Sequence, residues 1–421
     1  MLEPGTRSLE WIVDAYTLVL ASLLISSGAV ADRFGRRRVF QFGLLVFGGA
    51  SLACAVSPSA GVLVAARVVQ GAGASMLSPV ALAIVVNAMP DLRERARAIG
   101  VWASVFGLSM AAGPAVGGAL LSALGWRSVF WINAPVILAA LVLSAVFLPE
   151  SRAERRRRTD LPGQILLSIA VCLAVAALIE GPHIGWSSPL ALGAYALAAV
   201  AATAFVWVEY HQHEPMVDLS LFRSPVFTTA VLGAVAVFAA LNITLLLNTL
   251  YLQHSRGWTP LSAGLATLPM AVGASVCAPL AGNMVSRRGA RRPLVLAGAF
   301  LAAGGLCLSG LTRDTHVPIL LSAYLLIGIG FGFANAPITN TAVSGLPPAR
   351  AGVAGAITST ARQVGSAIGV AIAGGLVTGV TAPDLAVATH PGWLIVTACG
   401  LFLLLVARAT RPATHSPAAI R

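Results

Sequence analysis

The sequence predicts an all-α polytopic membrane protein, and three observations predict it. Only 10% of the 421 residues are charged while 57% are hydrophobic, and the mean hydropathy is +0.85. A soluble domain of this length needs about a quarter of its residues charged to wet its surface. The charges gather between apolar runs, many of about 20 residues, which lets a helix cross a ~30 Å hydrocarbon layer. With no water in that layer, backbone polar groups must bond within the segment, and the runs are too continuous for barrel strands. Helices remain.

Thirteen spans follow in order, at roughly 11–30, 39–57, 61–86, 97–122, 129–148, 163–181, 189–209, 226–252, 261–284, 293–311, 317–341, 353–379 and 393–410. The first is not a signal peptide, because Glu3 and Glu10 precede it and Arg33, Arg36, Arg37 and Arg38 follow. Loops 31–38, 90–97, 149–160, 286–292 and the tail with Arg408 and Arg411 are basic, whereas 57–61, 181–189 and 380–392 carry no arginine. Basic loops stay cytoplasmic, which places the C-terminus inside and, across thirteen spans, the N-terminus outside. Residues 1–10 then read as a loop arriving from an earlier span, so one helix is expected upstream.

The net charge of +12 would suggest nucleic acid in a soluble protein. Here orientation by positive charge accounts for it, and no nucleic-acid partner is expected. All 27 basic residues are arginine, and without lysine there is no Walker-type nucleotide site. No metal site is expected. His211 and His213, beside Glu209 and Glu214, read as a solvated linker in which Glu209 snorkels to the inner boundary.

One pattern occurs twice. After the first span the chain reads Gly28-Ala-Val-Ala-Asp32-Arg33-Phe-Gly35-Arg36-Arg37-Arg38, and after the ninth Gly282-Asn-Met-Val-Ser286-Arg287-Arg288-Gly289-Ala-Arg291-Arg292, 254 residues later. A repeat of that length marks two structural halves that rock about a central site in transporters. The first glycine lets helix ends approach, the second permits a turn with φ > 0, and Asp32 suits a helix N-terminus or an arginine partner.

At these residues the chain resembles the major facilitator superfamily, whose first cytoplasmic loop carries the same Gly-x-x-x-Asp-Arg-x-Gly-Arg-Arg pattern. Arg67-Val-Val-Gln70-Gly71 is similar to the family's embedded arginine motif. Gly107, Gly113, Pro114, Gly117 and Gly118 keep the spacing of its antiporter motif. Trp126-Arg127-x-x-Phe130-x-Ile132-Asn133-x-Pro135 resembles the next loop of the fourteen-helix drug/proton antiporters. The resemblance implies a two-half helical bundle with two extra linker helices, in which the repeat loops stand eight spans apart, six plus two. It divides the chain into an N-terminal half at 1–148, linker helices at 149–210, and a C-terminal half with the tail at 211–421. Two departures stand out: the first helix of the family is absent, and Ser286 occupies the place of Asp32.

A charge in the bilayer is costly and marks a candidate site. Asp14, within the first span, and Arg67, within the third, are the proton-coupling candidates; the sequence does not show that they meet. Within the resembled family the arginine of that motif is implicated in proton coupling. Glu180 falls on a linker helix. Gln70, Asn242, Asn248, Arg362 and Gln363 are mid-span polar groups suited either to line a cavity or to tie helices. Asn242 and Asn248, six residues apart, do not share a narrow face. The expected function is proton-driven export of lipophilic or cationic small molecules from the cell membrane. No enzymatic activity, cofactor or ATPase subunit is expected, and the chain should act as a monomer. The alternatives are a non-transporting remnant or scaffold, and a proton symporter for import. Substrate identity is not encoded in residue type or spacing.

The orientation is testable by cysteine-accessibility labelling in intact cells. Cysteines placed near Arg157 and Arg411 should stay protected while one near Ser187 is labelled; outside labelling at 157 would overturn the topology.

Overall fold

A computed structural model of the chain describes residues 6–81, 84, 105, 109, 113, 116–152, 160–212, 217, 219–343, 348–381 and 384–410. Every regular element among them is a helix. The long ones are α1 (Thr6–Phe34), α2 (Arg36–Ala55), α3 (Ala60–Ser75), α4 (Ser128–Phe147), α5 (Leu161–Ile184), α6 (Pro189–His211) and α7 (Pro225–Leu250). After them come α8 (Leu268–Arg288), α9 (Arg291–Leu308), α10 (Val317–Val343), α11 (Pro348–Val377) and α12 (His390–Ala409). Helices stand at the expected places, the fourth span only by its end at 116–124, since most of it lies outside the described residues. Nine helical stretches among the described residues are long and apolar enough to cross a membrane. Two more, Trp11–Leu24 on α1 and Leu161–Ala177 on α5, are shorter apolar runs.

Local chemistry sets the helix starts. Ser59, Ser188 and Ser224 each accept a hydrogen bond from the backbone N–H three residues on, and prolines follow Ser188 and Ser224 at the first helical position. Asp160 caps α5 the same way, its Oδ1 accepting from Gly163 N at 2.9 Å and from Gln212 Nε2 at 2.9 Å. Glu209 corrects an expectation. It does not snorkel but is 3% exposed, with Oε2 accepting from Val217 N at 3.1 Å. A backbone donor thus serves this oxygen of the carboxylate at the end of α6.

Packing is densest in the second half. One continuous core joins α7 through α12, with Trp393, Tyr251 and Tyr324 fully buried. Within it α8 and α9 both pack on α10, α9 on α12, and α7 on α11 and α12. The first half holds α1 and α2 against α3, with α4 against α2. The halves meet where α1 packs on α11, and α5 lies against both. α5 is therefore seated on that seam: Leu18 of α1, Val175 of α5, and Ala367 and Ala371 of α11 form one cluster.

The α7–α11 contact rests on two glycines one turn apart. A methyl group at Gly369 would stand 2.5 Å from the Ala239 carbonyl oxygen, and one at Gly365 would strike that of Val235. Small residues at this spacing let two backbones touch in a bilayer. Gly369→Ala should therefore cost about 1–3 kcal/mol and lower the unfolding temperature by several degrees. Gly355→Ala on the same helix meets open space and should not. Thermal unfolding followed by size-exclusion chromatography checks the pair, and equal melting would refute the packing.

Candidate functional site

Three polar clusters carry the chemistry, and the first surrounds Arg67. Its Nε donates to the Ile12 carbonyl at 2.8 Å, Nη1 donates to Gln70 Oε1 at 2.7 Å, and the guanidinium lies 4.2 Å from the Tyr16 ring centre. Gln70 passes the connection on, donating to Ser51 Oγ at 3.2 Å. Ser51 also receives Asn133 Nδ2 at 2.8 Å and donates to the Phe130 carbonyl at 3.1 Å. One chain of bonds thus ties α1, α3, α2 and α4. Arginine keeps its proton, so burial obliges its neighbours to supply acceptors and a ring face. Gln70 is 1% exposed and serves as an interhelical tie.

Asp14 is fully buried. It lies two residues from Ile12 and from Tyr16, about 200° round the helix from the side chain of each. Its helical spacing places it with Trp11 and Leu18, whose partners are α5 and α11: Trp11 Nε1 donates to Glu180 Oε1 at 2.9 Å, and Leu18 joins the seam cluster. Arg67 anchors the first half internally.

The second cluster is the loop at Gly35. The peptide there has φ 112°, and a methyl group would come within 2.6 Å of a Glu150 carboxylate oxygen. Only glycine fits both demands. Glu150 Oε1 accepts from Arg37 N at 3.2 Å and Ser151 N at 3.1 Å, Arg38 Nε stands 3.6 Å from Oε2, and Arg36 N donates to the Ser151 carbonyl at 2.9 Å. Arg37 Nη2 donates to the Ala145 carbonyl at 2.6 Å. The start of α2 is thereby docked on the end of α4, with an acid at the positive end of the helix. Sequence reasoning missed Glu150; its signal was an acid directly after the fifth expected span. Gly28 has open space, Arg33 is exposed against Phe34 at 5.4 Å, and the side chain of Asp32 lies outside the described residues. In the second copy Gly289 has φ 77°, and Ser286 Oγ donates to the Asn283 carbonyl at 2.9 Å. The turn recurs; the acid does not.

Of the antiporter-type glycines, Gly107 and Pro114 lie outside the described residues. Gly113 and Gly117 meet open space, whereas Gly118 is buried and a methyl group there would stand 2.6 Å from the Pro260 carbonyl oxygen. With Leu121 it borders a cavity of about 140 Å³ shared with Leu245, Thr249 and Gln253 of the other half.

The third cluster sits between α7, α10 and α11. Arg362 Nη1 donates to Asn335 Oδ1 at 2.8 Å and Nη2 to Ser359 Oγ at 3.0 Å, with the Phe238 ring centre 5.9 Å away. Asn242 Nδ2 donates to Ser366 Oγ at 2.9 Å and to the Phe238 carbonyl at 2.9 Å. Gln363 is half-buried on the same helix. Asn248, by contrast, is 2% exposed and accepts from the Tyr324 hydroxyl inside the half. The two asparagines do turn to different helices.

The sequence profile of the Major Facilitator Superfamily matches residues 5–370. The chain belongs to the major facilitator superfamily. Its relatives in this superfamily include the multidrug resistance protein Stp of Mycobacterium tuberculosis, 40% identical over 88% of this chain and 69% of that protein. The methylenomycin A resistance protein of Streptomyces coelicolor is 38% identical over 89% of this chain and 78% of its own length. The multidrug efflux pump LfrA of Mycolicibacterium smegmatis is 35% identical over 89% and 74%. A POT family peptide transporter shares the fold with a TM-score of 0.66 at 17% identity, covering 99% of this chain and 92% of the other. As a superfamily member the chain is a multi-pass plasma-membrane protein of a transporter family, not an enzyme.

The Gly35–Glu150 dock makes a prediction. Gly35→Val, which collides with the carboxylate, and Glu150→Gln, which removes its charge, should each lower transport per mole of inserted protein by about tenfold. Membrane levels should stay near wild type. Full activity in both variants would reduce the loop to a topology signal.

Proposed function

We propose that this protein is a proton-driven exporter of lipophilic small molecules, working by alternating access between its two halves. The observation that carries the reading is Asp14, a fully buried carboxyl on α1 one turn before Leu18, which packs in the seam with α11. Taking up or releasing a proton changes the charge that this carboxyl presents to its surroundings, and with it the balance between the arrangements of the two halves. One proton would thus bias the halves between two states, and the proton gradient supplies the energy without nucleotide or cofactor. Arg67 keeps the first half rigid while this happens. The relatives named as resistance and efflux proteins support export over import.

In this reading residues 1–148 and 211–421 are the moving bodies and 149–210 the linker helices, with the tail after Arg411 cytoplasmic and the chain a monomer. The 28–38 loop, locked on Glu150, closes the cytoplasmic side. Cationic cargo would find its counter-charge at Asp14.

Asp14→Asn tests the mechanism because it keeps the shape and removes the titration. In everted vesicles it should reduce gradient-driven transport by at least about tenfold while equilibrium binding stays within a few-fold of wild type. Proton-coupled transport that persists in this variant would place the proton site elsewhere.

A further inference from the structure

Acidic residues are divided unevenly along the chain. From Leu219 to Arg421 the sequence contains two, Asp314 and Asp384, and both lie in connections between helices. Arg362 is the fifteenth of thirty residues in α11, so it stands about 20 Å from either helix end. None of α7 to α12 therefore offers a carboxylate at its level, and the guanidinium cannot neutralise itself by losing a proton. Its hydrogen bonds among the described residues go to the Asn335 amide and the Ser359 hydroxyl. These dipoles solvate the charge without cancelling it, and they occupy two of five N–H donors.

The surroundings look like a receptor for something else. Asn335, Ser359, Arg362, Gln363 and Ser366 are all half-buried, and polar groups at mid-membrane depth turn to an interior water-filled space instead of to lipid. Phe238 lies beside the guanidinium and meets Phe331 edge-on at 5.4 Å, which gives the place an aromatic wall. A buried charge with spare donors is stabilised most by a partner that brings the opposite charge and two acceptors.

We propose that Arg362, held by Asn335 and Ser359, receives the carboxylate of an aromatic acid whose ring lies against Phe238. This refines the export reading and rests on it: aromatic carboxylates belong among the cargo. The acid then supplies on arrival the negative charge that the second half lacks, so cargo binding itself relieves a desolvated cation.

The test compares naphthalene-2-carboxylate with naphthalene-2-carboxamide, which share a ring and differ in charge, at neutral pH on the purified full chain in nanodiscs. The wild type should bind the carboxylate at least about tenfold more tightly. In Arg362→Gln the ratio should fall to about one, in Arg362→Lys it should fall to an intermediate value, and in Arg223→Gln, an exposed arginine, it should match wild type. A wild-type ratio near one overturns the proposal without any variant, as does a ratio unchanged in Arg362→Gln. Should Arg362→Gln fail to fold, as judged by size exclusion, Arg362→Lys decides, and a fully retained ratio there overturns the assignment. Vesicles that accumulate neither these probes nor lipophilic dyes would sink the export reading while leaving the equilibrium preference standing.

Discussion

A guanidinium inside a bilayer has to find its acceptors in the protein, because it cannot shed its proton and lipid tails offer it no hydrogen-bond partner. Around Arg67 that requirement organises a whole half. The side chain takes a backbone carbonyl from α1, an amide oxygen from its own helix and a ring face, and Gln70 hands the network to Ser51 and Asn133 on two further helices. Four helices are thereby held at fixed distances by polar bonds in a region where the hydrophobic effect gives no drive to associate. The neighbouring features follow from that rigidity. A rigid half holds Leu18 of α1 against α11, and a rigid α2 can be docked at its start on Glu150.

Much of this was legible in the sequence. Apolar runs located the helices, because a bilayer leaves few alternatives to them, and the repeat at Gly35 and Gly289 located two turns that share a positive φ. The positions of Arg67, Gln70 and Arg362 stood out because charge and amide are costly at mid-span. What stayed hidden was pairing across the chain. Glu150 is 115 residues from Gly35 and reads as an ordinary loop acid until the end of α4 meets the start of α2. Ser51 is a small hydroxyl with nothing around it to mark a hub. Glu209 was misplaced because a carboxylate at a helix end usually reaches water, whereas this one is buried and accepts from Val217 N.

The relation of Asp14 to Arg67 shows where sequence spacing stops. Both are charged residues in adjacent first-half spans, which suggests a pair. The helical turn adds a second association: Arg67 uses the Ile12 carbonyl and the Tyr16 ring of α1, whereas Asp14 shares its stripe of the helix with Trp11 and Leu18. The consequence is mechanical. An Asp14–Arg67 pair would act within one half, whereas a carboxyl on the seam acts on the contact between halves, which is what alternating access has to change.

The two halves repeat in sequence but not in charge. The first carries the buried Asp14 on α1 and Arg67 inside a network of ties; the second carries Arg362 midway along α11 and no acid within α7 to α12. Symmetric backbones with asymmetric charge separate two tasks that would otherwise compete for one carboxylate. A proton that must enter and leave needs an acid able to change state, and a cargo that must be held needs a charge that does not change with pH. In the proposed mechanism a titrating Asp14 and a constant Arg362 would meet those demands on α1 and α11, two helices that pack on each other.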